Sequence, residues 1–267
     1  MNPKISPSAL EKTTYLYLKL LYNKTLTNNF QCSSMFVEVD FMFIYDEYYV
    51  FYVMIILGIS MFANIRIHST FNKYSKMKCR LCGYDSANLV LNQNGVYGVK
   101  FYKTQGYLTD YFDPRSNSIS LSDGVYDEFS ISALGVGAHE AGHAVQYSKG
   151  YFPMKLRHFL VPVTNFTSML AMPMFFLGIL MVYDFLMGIG IALFSVSVIF
   201  HIVTLPVESD ASNRALIALE QSGRLSSEEL KGAKKVLMAA RFTYIAAILT
   251  SLISLLRLIL ISNRRRK

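Results

Sequence analysis

Residues 160–207 read LVPVTNFTSMLAMPMFFLGILMVYDFLMGIGIALFSVSVIFHIVTLPV, and Asp184 is the one acidic residue in a stretch without Lys or Arg. A helix needs about 20 apolar residues to cross the hydrocarbon core of a bilayer. The stretch therefore holds two spans, about Leu160 to Tyr183 and Phe185 to Val207, folded into a tight hairpin at Asp184. Pro162, Pro173 and Pro206 imply kinks or ends, which a membrane helix tolerates where neighbouring helices satisfy the freed carbonyls. Because the hairpin crosses twice, the chain after Val207 returns to the side it left at Leu160. The fold class that follows is an α-helical multi-pass membrane protein.

Composition agrees: 52% of the 267 residues are apolar and only 16% are charged, too few for an ordinary soluble domain. The net charge of +8 reports topology in such a chain. No compact basic patch with interleaved aromatics is present, so nucleic acid is not an expected partner. Three cysteines, Cys32, Cys79 and Cys82, do not make a disulfide framework, and a lone Cys79-X-X-Cys82 falls short of four zinc ligands. These thiols are expected to be reduced and without a role.

Outward from the hairpin, residues 48–67 (YYVFYVMIILGISMFANIRI) form an uncleaved anchor and residues 242–262 a C-terminal span. Asp40, Asp46 and Glu47 precede the anchor; Arg66, Lys73, Lys76, Lys78 and Arg80 follow it. The positive-inside rule places the later side in the cytoplasm. Residues 1–47 are an extension of unassigned order, 68–158 a polar region and 208–241 a helical region; 263–267 (NRRRK) are a basic tail. Four crossings would leave that tail outside, against the same rule. Arg257 lies inside the last span, close enough to its end to snorkel. Within the polar region, Ser86 to Asn94 predicts a short helix stopped by Gly95, and Val96 to Lys103 and Asn117 to Ser122 predict strands. Gly106 to Pro114 reads as a turn-rich connection, and about 130–148 as a helix closed by Lys149-Gly150.

That last helix contains His139-Glu140-Ala141-Gly142-His143. Residues four apart share a helix face, so two imidazoles can hold one Zn2+ while the glutamate takes a proton from its water. A catalytic zinc takes three protein ligands and leaves a place for water. Glu208, just past the hairpin and on the same membrane side as His139 and His143, is the expected third ligand. His201 lies seven residues earlier on the same helix face and ranks second. His158 reads as interfacial and His68 as a solvated flank. Asp210 is a candidate to orient a ligand imidazole. Gly142 either allows close packing at the metal or is incidental.

The chain resembles the YugP-like neutral zinc metallopeptidases, bacterial membrane proteases, from about residue 45 to 263. The resemblance rests on STFNKYSK (69–76), GYLTDYFDPRSNSISLS (106–122), GVYDEFSISALGVGAHEAGHAVQYSKGY (124–151), LRHFLVPV (156–163), TLPVESDASNRAL (204–216) and VLMAARFTYIAAI (236–248). It implies a small α+β zincin-like catalytic domain, His139 and His143 as zinc ligands, Glu140 as catalytic base and Glu208 as the family's glutamate after the third span. The family usually has His-Tyr where this chain has Tyr111-Phe112, an aromatic at Ser209 and alanine at Arg241. Tyr111 remains able to donate a hydrogen bond to substrate. The expected function is a zinc endopeptidase of the cell membrane, acting from the cytoplasmic face on membrane or membrane-proximal proteins, with Asn117 to Ser122 as a candidate strand for pairing with substrate. The rival is a non-proteolytic scaffold with a structural zinc site closed by a fourth ligand, His201 or Asp210. A transporter is a weaker option, for it needs more spans and paired broken helices.

Overall fold

A computed structural model describes residues 49–265; the extension 1–47, the first residue of the expected anchor (Tyr48) and the last two residues of the basic tail lie outside them. The order is α1 (Tyr49–Ser75), α2 (Gly83–Gln93), β1 (Lys100–Thr104), β2 (Tyr111–Asp113), β3 (Ser118–Ser122), α3 (Ile131–Ser148), α4 (Phe152–Leu180), α5 (Asp184–Gln221) and α6 (Ser227–Arg265). Among the described residues, four helices, α1, α4, α5 and α6, are long and apolar enough to cross a membrane.

The local signals explain most boundaries. Cys82 caps α2: its Sγ accepts from the Asp85 N–H, while the Asp85 carboxylate accepts from the Cys82 N–H. The expectation that this thiol has no role is corrected by that cap. Ser130 caps α3 through the Ala133 N–H, and Gly150 in the left-handed region (φ 65°) turns the chain out of it. Ser226 and Glu229 form the same reciprocal pair at α6.

Three expectations about helix and strand ends change. None of the prolines ends a helix: Pro162 and Pro173 lie inside α4, and Pro206 inside α5. Helix α5 therefore runs unbroken from the hairpin turn through Glu208, and α6 runs unbroken through the expected start of the last span at Phe242. The connection Gly106 to Pro114 contains β2, too short at three residues to show an alternating pattern. Arg257 does not reach outward; it is buried, with its guanidinium 5.8 Å from the Tyr52 ring of α1. Together with Phe62 against Phe242 at 5.8 Å, this sets α1 and α6 antiparallel.

The sheet order is β1-β3-β2, with β1 parallel and β2 antiparallel to β3. Ile119 and Leu121 of β3 are fully buried and, with Val90, Val125, Leu134 and Leu219, form the core around α3. Helix α3 is buried on nearly every side because small residues line it. A methyl group on Gly137 would stand 2.7 Å from the Gly83 carbonyl carbon of α2. One on Gly142 would stand 2.9 Å from the Ala211 carbonyl carbon of α5. Gly142 is thus a close-packing residue that lets α3 and α5 meet backbone to backbone.

Candidate metal centre

The contact between α3 and α5 brings the histidine motif to Glu208. The His139 and His143 rings lie 4.7 Å apart, and both direct Nε2 to the Glu208 Oε2, at 3.1 and 3.5 Å. One donor atom from each of these three residues lies within 4.8 Å of the others. Ligand atoms around a tetrahedral zinc with bonds of 2.0–2.1 Å stand about 3.3 Å apart. Two imidazole nitrogens and a carboxylate oxygen are also the donor types zinc accepts, so the group fits that ion. Among the described residues no fourth His, Cys, Asp or Glu joins it.

Partners away from the centre hold each donor. His139 Nδ1 lies 3.1 Å from Ser212 Oγ, and His143 Nδ1 lies 3.0 Å from Gln146 Oε1. Arg157, at the start of α4, donates to the other Glu208 oxygen at 2.9 Å. Glu208 is only 3% exposed, so this ion pair and the two imidazoles compensate a carboxylate that burial would otherwise disfavour.

Glu140 sits between the two histidines in sequence and is buried. Burial pushes its carboxyl up to about 7, against the attraction of His139; Asp110 and Glu208 add repulsion, and Arg157 opposes it. Asp110 itself is raised by burial, though it accepts from the Ser122 N–H at 2.7 Å and hydroxyl at 3.0 Å. The loop into β2 thus brings a second carboxylate within electrostatic reach of Glu140.

The other expected residues are placed differently. Asp210 touches neither imidazole; it accepts from Gln146 Nε2 at 2.8 Å and Arg214 Nε at 2.6 Å. His201 stays outside the three-residue group, with its ring against Phe200. Tyr111 is half exposed on β2. Asn117 to Ser122 is no free edge: β3 is the central strand, paired on both sides, so it cannot accept a substrate strand. His68 stacks on Tyr107, whose hydroxyl donates to Asn72 at 2.9 Å, tying the end of α1 to the loop before β2. His158 donates through Nδ1 to the Met154 carbonyl. Sequence reasoning passed over Gln146, Ser212 and Arg157. Gln146 follows His143 by three residues and Ser212 follows Glu208 by four, spacings that share a helix face.

A protein family described as "Putative neutral zinc metallopeptidase" matches residues 49–263. The chain is 42% identical over 216 residues to the "Putative membrane protease YugP" of Bacillus subtilis (strain 168), covering 80% of this chain and 96% of that protein. No solved structure matches. With the three candidate ligands lying inside the matched region, the chain belongs to the neutral zinc metallopeptidase family.

Proposed function

We propose that the protein is a membrane-embedded endopeptidase with a zincin-like site that holds one zinc ion on His139, His143 and Glu208. The convergence of three donor atoms within 4.8 Å of one another, with no fourth among the described residues, carries the reading. A structural site would be closed by a fourth ligand, and of the candidates for that place His201 stays outside the group and Asp210 accepts from Gln146 and Arg214. When bound, zinc supplies Lewis acidity that makes a water acidic and polarises the scissile carbonyl. Glu140 accepts a proton from the water that attacks the carbonyl carbon, then delivers it to the leaving nitrogen as the C–N bond breaks. Burial raises this carboxyl to about 7 in the metal-free site, and a bound cation would bring it back down, favouring the carboxylate that takes the proton. Arg157 keeps the Glu208 carboxylate from turning away from the histidines.

The outer edge of β2 takes over the substrate-pairing role expected of β3. It is an edge strand, packed beside α3 through Phe112 against Tyr147, and an extended peptide can add to it by backbone hydrogen bonds. Half-exposed Tyr111 on the same strand is a substrate contact. From Asp184 to Glu208 a helix rises about 36 Å, roughly one hydrocarbon thickness, so the site lies at the bilayer surface. The cations after α1, together with Lys149, Lys155, Lys231, Lys234 and Lys235, support a cytoplasmic position for that surface, against the basic tail at the far end. Substrates are membrane proteins or their flanking segments. The test is Glu140→Gln in the purified full chain. It should keep its zinc and lose at least about 100-fold in cleavage of a membrane-tethered peptide; undiminished cleavage would sink the mechanism.

A further inference from the structure

A neutral imidazole carries one N–H and one lone pair, so His143 can offer Nε2 to a metal only with its hydrogen on Nδ1. In the metal-free chain Nε2 faces Glu208 Oε2 at 3.5 Å, a longer contact than the one Nδ1 makes, so what Nδ1 meets is the closer hold on the hydrogen. Nδ1 meets the side-chain amide of Gln146 at 3.0 Å. The other end of that amide lies 2.7 Å from the Val207 carbonyl oxygen and 2.8 Å from Asp210 Oδ2. A carbonyl and a carboxylate gripped by Arg214 at 2.6 Å only accept. That end is therefore the NH2 group, and both of its hydrogens are used. The amide oxygen is left facing His143, and an amide oxygen cannot donate. Gln146 is fully buried, so water offers no alternative arrangement. His139 has no such device, for its Nδ1 faces the Ser212 hydroxyl, which donates or accepts.

We propose that Gln146 is a positioning residue that locks His143 in the Nδ1–H tautomer and aims its Nε2 lone pair at the metal, with Asp210 and the Val207 carbonyl as the clamp that fixes Gln146. The inference rests on His143 being a ligand. Asp210 thereby does orient an imidazole, but one hydrogen bond further out than the sequence suggested. The same amide also bridges α3 to α5, so ring orientation and helix spacing are set together.

The test uses the full chain in detergent with histidine rings labelled with nitrogen-15. In the metal-free parent, NMR should show a hydrogen on His143 Nδ1. Gln146→Leu should lose that preference and bind zinc about 10–100-fold more weakly in competition with a chelator. An Nδ1 without a hydrogen in the metal-free parent overturns the proposal, and so does a Gln146→Leu protein whose zinc affinity stays within about twofold of the parent's. If Gln146→Leu does not fold, the parent spectrum alone decides. A parent that binds no zinc would refute the proposed function, whereas the metal-free spectrum would still decide the tautomer.

Discussion

Gly142→Ala separates the metal centre from the stability of the helices that carry it. The new methyl would stand 2.9 Å from the Ala211 carbonyl carbon and 3.2 Å from its Cα, and nearer still to the carbonyl oxygen. Carbon atoms pack comfortably at about 3.5–4.0 Å, so α3 and α5 must part by about 0.6 Å or more. Ala211 is backbone and cannot yield by a rotamer change. Overpacking costs about 1–3 kcal/mol, while alanine in place of a helix glycine returns about 1 kcal/mol. The net loss of stability is thus small, between roughly zero and 2 kcal/mol. The zinc geometry is far less forgiving, since metal sites hold their bond lengths within about 0.2 Å. His139 and His143 ride on one of the parting helices and Glu208 on the other. Zinc affinity, read by competition with a chelator, should fall at least about tenfold while the melting temperature moves by only a few degrees. Gly135→Ala is the control on the same helix: its methyl would meet Val236 Cγ1 at an ordinary 3.5 Å, and zinc binding should hold. If Gly142→Ala binds zinc as the parent does, the backbone contact does not set the site.

Three further outcomes are expected. Because burial raises Glu140 from 4.5 to about 7, the folded metal-free chain keeps a proton there that the unfolded chain has lost. This group's contribution to stability is full below about pH 4.5 and disappears as the pH rises through about 7. Metal-free Glu140→Gln should therefore lose less stability than the metal-free parent over that window in denaturant titrations, and parallel curves would contradict the assignment. With zinc loaded, the cation favours the carboxylate, so the acid limb of cleavage should lie below 7. Arg157→Met removes the donor to Glu208 Oε1 while keeping much of the apolar stem; zinc affinity should drop about 10–100-fold, and an unchanged affinity would show that the carboxylate orients itself. Reporters placed in the turn before Asp184 and after Lys267 should be accessible from the same side of the membrane, opposite to a label at Lys149. Accessibility of the C-terminal reporter from the Lys149 side would mean that α6 does not cross.

The departures at Ser209 and Arg241 show how sequence and structure divide the information. Each reads as an isolated change from the family's residues. In the fold they meet: Arg241 of α6 donates to the Ser209 carbonyl at 3.2 Å and to Asn213 Oδ1 at 3.0 Å, beside Glu208 on α5.

What the chain by itself determined was everything carried by short-range chemistry. The apolar runs announce four helices long and apolar enough to cross a membrane, where backbone polar groups must be satisfied within the segment. His139 and His143 share a helix face because of the helical repeat, and two apolar runs between His143 and Glu208 imply a return to the same side. What only tertiary structure decided was which surfaces touch. Strand β3 runs between its neighbours because β1 pairs parallel to it from one side and β2 antiparallel from the other, and no local pattern encodes that order. Gly142 matters because Ala211 lies against it, and Gln146 because Val207 and Asp210 hold its amide from another helix. Periodicity describes one helix at a time, whereas the orientation of an imidazole depends on a hydrogen bond whose far end lies 61 residues along the chain.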